Sequence, residues 1–254
     1  MTLPRTPSFR LDGRKALVAG GTSGIGLGCS VALAEAGAEV RVAARREAQV
    51  MQTVDLLREQ GWKAEGVVLD VADQERTAQQ VRELGPFDIL VNSAGTARHS
   101  LAVETETADY DAVMDLNLRG AYFLTQAVAQ GMIDAGRRGS IVNISSQMAH
   151  VGGMERAVYC ASKSGVEGFS KAMAIELGQK GIRVNTVCPT FVRTPLTKPT
   201  FDDPDKIRWI ESKIKLGRVA EIEDLMGPVL FLASDASAMI TGTSLLVDGG
   251  WTAD

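Results

Sequence analysis

The stretch Lys15-Ala16-Leu17-Val18-Ala19-Gly20-Gly21-Thr22-Ser23-Gly24-Ile25-Gly26 limits the fold more than any other part of the chain. A short apolar run enters a glycine cluster, and an Ala/Leu-rich stretch, 27–36, leaves it and is closed by Gly37. Strand, glycine turn and helix in that order begin a βαβ unit. The glycines allow a tight turn and let the backbone approach a pyrophosphate. The helix start then offers free N–H groups and a positive dipole end to that anion. Gly20, Thr22, Ser23, Gly24, Ile25 and Gly26 are therefore candidates to hold a dinucleotide.

Further apolar runs follow at Val67-Val68-Leu69, Ile89-Leu90-Val91, Ile141 to Ile144, Val184 to Val187 and Ser244–Val247. Stretches of helical period separate them: 47–60, Gln74–Leu84, 108–135 with a break near Asn117, 158–179 and 221–233. Near-continuous apolar strands alternating with helices predict a doubly wound, mostly parallel α/β sheet with helices on both faces. No repeat or linker divides the pattern, so 11–254 reads as one domain, behind a leader at 1–10 that resembles neither signal peptide nor anchor. In such sheets ligands sit beyond the carboxyl ends of the strands. Asp70, Asn92, Ser146 and Thr190 each follow a predicted strand and share that address.

The net charge of −4 supplies no basic face for nucleic acid. No apolar run approaches the ~18 residues of a membrane span. Three scattered cysteines (Cys29, Cys160, Cys188) suggest neither a metal nor a disulfide framework, which makes a reduced cytoplasmic setting the expectation.

The strand at 39–43 ends in Ala44-Arg45-Arg46. NAD-binding units usually carry an acidic residue here for the adenosine ribose, whereas arginine pairs with a 2′-phosphate. Arg45 and Arg46 thus favour NADP(H), with NAD(H) still admissible. Farther on, Tyr159 and Lys163 stand at i and i+4, one above the other on a helix. An ammonium beside a phenol favours the phenolate and lowers its pKa, which would suit general acid–base work.

Together these residues resemble the short-chain dehydrogenase/reductase family over nearly the whole chain. Its cofactor motif appears as Ala19 to Gly26, with alanine for the usual threonine, and Asp70-Val71 resembles its adenine-contacting pair. Asn92-Ser93-Ala94-Gly95 resembles its NNAG segment, and Pro189 to Thr194 its nicotinamide-holding PGxxxT segment, with Thr190 for glycine. The resemblance implies a Rossmann-type fold. It also implies cofactor contacts from Asn92, Ala94, Gly95, Pro189, Val192 and Thr194, and catalysis by Asn117, Ser146, Tyr159 and Lys163. Three local alternatives stay open: Asn117 satisfied by its own backbone, Ser145 in place of Ser146, and Asp70 as a helix cap.

The implied reaction is hydride transfer between a nicotinamide and a secondary alcohol or ketone. A pocket wall is expected from 96–103, 147–156 and a substrate loop at about 190–216, with Met148, His150, Arg156 and Phe191 as candidate substrate contacts. Carrier-linked 3-oxoacyl reductases commonly hold a basic residue where Ile175 precedes Glu176, so a small polyol, sugar-derived or other free alcohol is favoured over an acyl carrier substrate. A non-catalytic nucleotide sensor is the reading of another class. Apolar residues on several faces of the helices near 121–135 and 158–179, with the family's habit, imply a homotetramer, with a dimer as the alternative.

Overall fold

The computed structural model describes residues 2–253. Seven strands form one parallel sheet: β1 (Lys15–Ala19), β2 (Glu39–Ala44), β3 (Ala64–Val68), β4 (Ile89–Asn92), β5 (Gly139–Ile144), β6 (Ile182–Pro189) and β7 (Ser244–Val247). Their spatial order is β3-β2-β1-β4-β5-β6-β7. The order reverses between β1 and β4, where the two neighbours of a ligand crevice part company.

Side chains alternate across each central strand, and both faces are buried. Ala16 and Val18 of β1 join one apolar layer with Ile89 and Val91 of β4 and Val142 of β5. Leu17, Leu90 and Ile141 join the layer on the opposite face. The first layer is closed by α1 (Gly24–Glu35) and, near the C-terminus, by the helix Glu223–Ala233. The second is closed by the long helices Ala121–Asp134 and Ala157–Gly178.

The remaining helices are α2 (Glu47–Glu59), α3 (Gln74–Leu84) and α4 (Thr107–Met114). Those named above continue the numbering as α5 (Ala121–Asp134) and α6 (Ala157–Gly178). The expected break near Asn117 is a six-residue π-helical segment, Asp115–Gly120, joining α4 to α5. Such widened turns redirect side chains and often mark functional sites. The expected substrate loop contains two helices, α7 (Lys198–Phe201) and α8 (Pro204–Lys213), and α9 is Glu223–Ala233. Helix α8 starts on a sequence signal: Asp203 accepts from the Asp205 and Lys206 amides, and Pro204 occupies the first turn.

A buried polar set crosses the second layer. The Asn143 amide oxygen accepts from Thr125 Oγ1 at 3.2 Å and from Asn92 Nδ2 at 3.4 Å, and its nitrogen donates to Ser170 Oγ at 3.1 Å. These bonds tie β4, β5, α5 and α6 in one register, because any slip would leave buried polar atoms unpaired. Residues 2–10 form no regular element, although Phe9 stacks 6.3 Å from Phe231. Among the described residues no helix is long and apolar enough to cross a membrane.

Candidate active site

The carboxyl ends of β1, β2, β4, β5 and β6 open onto one cleft of about 520 Å³. Gly20, with φ +74°, turns the chain so tightly that a Cβ there would lie 2.9 Å from the Ala94 amide nitrogen. At Gly26 a Cβ would lie 2.1 Å from the Gly20 carbonyl, so the loop closes onto the helix only with glycine there. Thr22, Ser23, Gly24 and Ile25 line the cleft at the start of α1, and Arg45, Arg46, Asp70, Val71, Ala94 and Gly95 line it nearby. Pro189, Val192 and Thr194 form its far wall. A long cleft with a helix N-terminus at one end and two arginines beside it fits a phosphorylated dinucleotide.

Two expectations on this side are corrected. Asn92 does not line the cleft: it is buried behind it and bonds Asn143, because the last residue of β4 still points into the sheet's polar set. Asp70 is not the cap of α3, a place taken by Asp73, whose carboxylate accepts from the Arg76 amide. Asp70 instead closes a short turn onto the Ala72 amide and lines the cleft.

Ser146, Tyr159 and Lys163 meet at the inner end. Ser146 follows β5 and accepts from the Met148 amide at 3.1 Å, which fixes its hydroxyl. The neighbouring Ser145 points back towards the Lys163 carbonyl at 3.5 Å. Lys163 lies buried one turn after Tyr159, its Nζ donating to the Ile144 carbonyl at 2.8 Å and standing 5.7 Å from the phenol ring centroid. Asn117 is held through its side chain by Thr96, whose amide donates to Oδ1 at 2.8 Å and whose carbonyl accepts from Nδ2 at 2.9 Å. Its amide also donates to Ser162 Oγ at 3.2 Å. The alternative of satisfaction by its own backbone is therefore not what the π-helical segment provides.

The electrostatics differ from the expectation drawn from spacing. Burial raises the Tyr159 phenol above its ordinary pKa, while the Ser146 hydroxyl and the Arg156 guanidinium pull it down. The Lys163 ammonium donates to the Ile144 carbonyl, and burial outweighs the groups that pull the phenol down. Burial pushes Lys163 itself down to about 8, against weaker support from Cys188 and Glu167.

A second pocket of about 300 Å³ adjoins the cleft and shares Ser146, Tyr159 and Thr190 with it. Met148, Arg156 and Phe191 line it, together with His99 and Gln147 from the segments 96–103 and 147–156. His150 does not line it: its ring lies with Glu167 and Cys188, ligand atoms within 4.8 Å of one another, because the short helix Gln147–Ala149 turns it away. The Glu167 carboxylate there accepts from Ser244 and from the Cys188 thiol. Met154 and Trp209, expected in the wall, stand outside it, one largely exposed and the other stacked on Trp251.

A protein-family model described as Enoyl-(Acyl carrier protein) reductase matches residues 19–252. L-xylulose reductase of Bos taurus is 41% identical over 245 residues, covering 96% of this chain and 99% of that one. D-erythrulose reductase of Gallus gallus is 41% identical, covering 96% and 98%. The chain belongs to the short-chain dehydrogenase/reductase family. Among solved structures, a gluconate 5-dehydrogenase from Burkholderia cenocepacia, in complex with NADP and tartrate, superposes with a TM-score of 0.94 at 36% identity, covering 97% of this chain and 98% of that chain. As a family member of this kind the protein is a nicotinamide-dependent alcohol/ketone oxidoreductase.

Proposed function

We propose that this chain is an NADP(H)-preferring oxidoreductase acting on a small polyol or sugar-derived alcohol and the corresponding ketone. One observation carries the reading: Ser146 and Tyr159 stand where the dinucleotide cleft opens into a small, partly polar pocket. When bound, the nicotinamide supplies or accepts the hydride. In reduction, Tyr159 would donate its proton to the carbonyl oxygen as the hydride reaches the carbon, and in oxidation its phenolate would take the proton of the alcohol. Burial favours the neutral phenol, the form a proton donor needs. Ser146, fixed by the Met148 amide, hydrogen-bonds the reacting oxygen. Lys163 holds the nicotinamide ribose, and Asn117 links the lysine towards solvent.

The 2′-phosphate preference rests on Arg45 and Arg46 at the cleft, with no acidic residue at Ala44, and the NADP in the gluconate 5-dehydrogenase complex agrees with it. The sugar-derived substrate class is supported by the polar pocket and by the relatives' activities on xylulose and erythrulose. A 3-oxoacyl carrier substrate is less well served: Ile175 is 82% exposed where a basic residue would help, and Arg137 is paired with Asp88. We also propose a homotetramer, supported by the exposed Tyr122 and Phe123, which stack edge-on with each other and, through Tyr122, on Phe169. A cytoplasmic setting accords with three free cysteines. Following reduced-nicotinamide absorbance with NADP+ and NAD+ against polyols, sugar acids and 3-oxoacyl thioesters tests the reading. Turnover confined to thioesters would overturn the substrate class.

A further inference from the structure

The pocket beside Ser146 and Tyr159 holds a cation with no anion paired to it. Arg156, at the entrance to α6, is half-buried, with its guanidinium 5.7 Å from the Phe191 ring centroid. Its Nη1 donates to the His99 ring, 2.5 Å from Nε2. Burial and the guanidinium itself hold His99 below the usual imidazole range, so the ring is neutral and serves as acceptor. Among the described residues no carboxylate forms an ion pair with Arg156, and the exposed Glu155 favours its charge without a salt bridge. A planar guanidinium fixed on an aromatic face, with most of its N–H groups unspent, is built for bidentate pairing with an oxyanion.

A second observation in the same pocket also points to a ligand. Gln147 is only 1% exposed, yet neither its amide oxygen nor its amide nitrogen has a partner. The Thr190 hydroxyl is likewise buried without a partner. Both line this pocket. Buried polar groups are rarely left unpaired, and each costs stability while it is. A ligand carrying several hydroxyls would satisfy them.

We propose that Arg156, with His99 as its support, binds the carboxylate of a small polyhydroxy acid whose hydroxyls meet Gln147 and Thr190. The enzyme then acts on sugar acids in preference to neutral polyols. This rests on the reading of Ser146 and Tyr159 as the site of hydride transfer to a sugar-derived alcohol. A single cationic side chain lines the pocket, which matches a monoanionic carboxylate better than a phosphate dianion. The pocket's volume lies at the small end of ligand sites.

The test compares aldonates with alditols of the same skeleton (L-threonate and L-threitol, D-arabinonate and D-arabinitol, D-gluconate and D-glucitol) in the presence of NADP+. At least one aldonate should exceed its alditol in kcat/KM by roughly 10–100-fold, the range of a hydrogen bond to a charged group. D-gluconamide, matched in shape but neutral, should fall to the alditol level with the unaltered enzyme, a result that needs no variant to fold. Arg156→Met should collapse the aldonate-to-alditol ratio, mainly through KM, with NADPH affinity kept, and Arg156→Lys should restore part of it. Alditols matching or exceeding aldonates, an unchanged ratio in Arg156→Met, or D-glucitol 6-phosphate outperforming D-gluconate would each overturn the inference while leaving the oxidoreductase reading intact. Binding of NADPH with no turnover of any alcohol would overturn the underlying reading, and this one with it.

Discussion

Replacing Lys163 by methionine removes a charge buried in the interior. The side chain is 6% exposed, and burial pushes its ammonium from 10.5 down to about 8. At ~1.36 kcal/mol per pH unit, that drop corresponds to about 3 kcal/mol of folding free energy forfeited by the charged form. Loss of the bond to the Ile144 carbonyl gives back about 1 kcal/mol, leaving the cofactor-free variant about 2 kcal/mol more stable at pH 7. The pH dependence has a definite sign. Below about 8 both folded and unfolded chains hold the proton, and the whole penalty is present. Between about 8 and 10.5 the unfolded chain binds a proton that the folded chain has released, so the parent protein gains stability as pH rises. The methionine variant has no such climb. Urea denaturation of both proteins without cofactor, at pH 7 and pH 10, reads the difference directly. The variant's advantage should be present at pH 7 and lost by pH 10, while its turnover falls sharply at both. A variant less stable than its parent at pH 7, or a gap that does not change with pH, would refute the picture of Lys163 as a desolvated ammonium.

Tyr159→Phe should lower kcat by ~10²–10⁴, the usual loss for a positioned acid–base group, while NADPH titration shows binding retained. Arg45→Ala should weaken NADPH binding by roughly 10-fold or more, the worth of a charge-assisted contact, and leave NADH affinity unchanged. Paired fluorescence titrations check it, and equal losses for both cofactors would deny the 2′-phosphate role. Gly26→Ala places a methyl 2.1 Å from the Gly20 carbonyl, so the glycine loop must move. A destabilisation of about 1–3 kcal/mol with weakened NADPH binding is expected from thermal melts and titration.

The parts of the fold that were legible are those with a one-dimensional signal. Strands such as Ile89–Asn92, buried on both faces, read as unbroken apolar runs, and the glycine turn before α1 reads from residue types alone. The i, i+4 stacking of Tyr159 and Lys163 was equally plain. Its electrostatic consequence was not, because spacing carries no information on burial or on the Ile144 carbonyl that takes the ammonium. Helix α8 is not legible in the apolar pattern, although Asp203-Pro204 announces its start, since a short, mostly exposed helix has too weak an apolar stripe. The Arg156 pocket was half legible. Arg156 and Phe191 stand out in the sequence, but the His99 contact spans 57 positions and appears only once the chain is folded. Asn92 and His150 went astray for the same reason: following a strand, or following Ser146, sets a neighbourhood and leaves the direction of the side chain open.

Leu196 and Thr197 border both cavities, on opposite sides of one short peptide stretch leading into α7. A party wall of this kind cannot yield to one tenant without altering the room of the other. Where one ligand shifts that wall and so changes the affinity for the second, the second changes the affinity for the first by the same factor. Selection acting on substrate choice through Leu196 or Thr197 would therefore retune the grip on the dinucleotide as well.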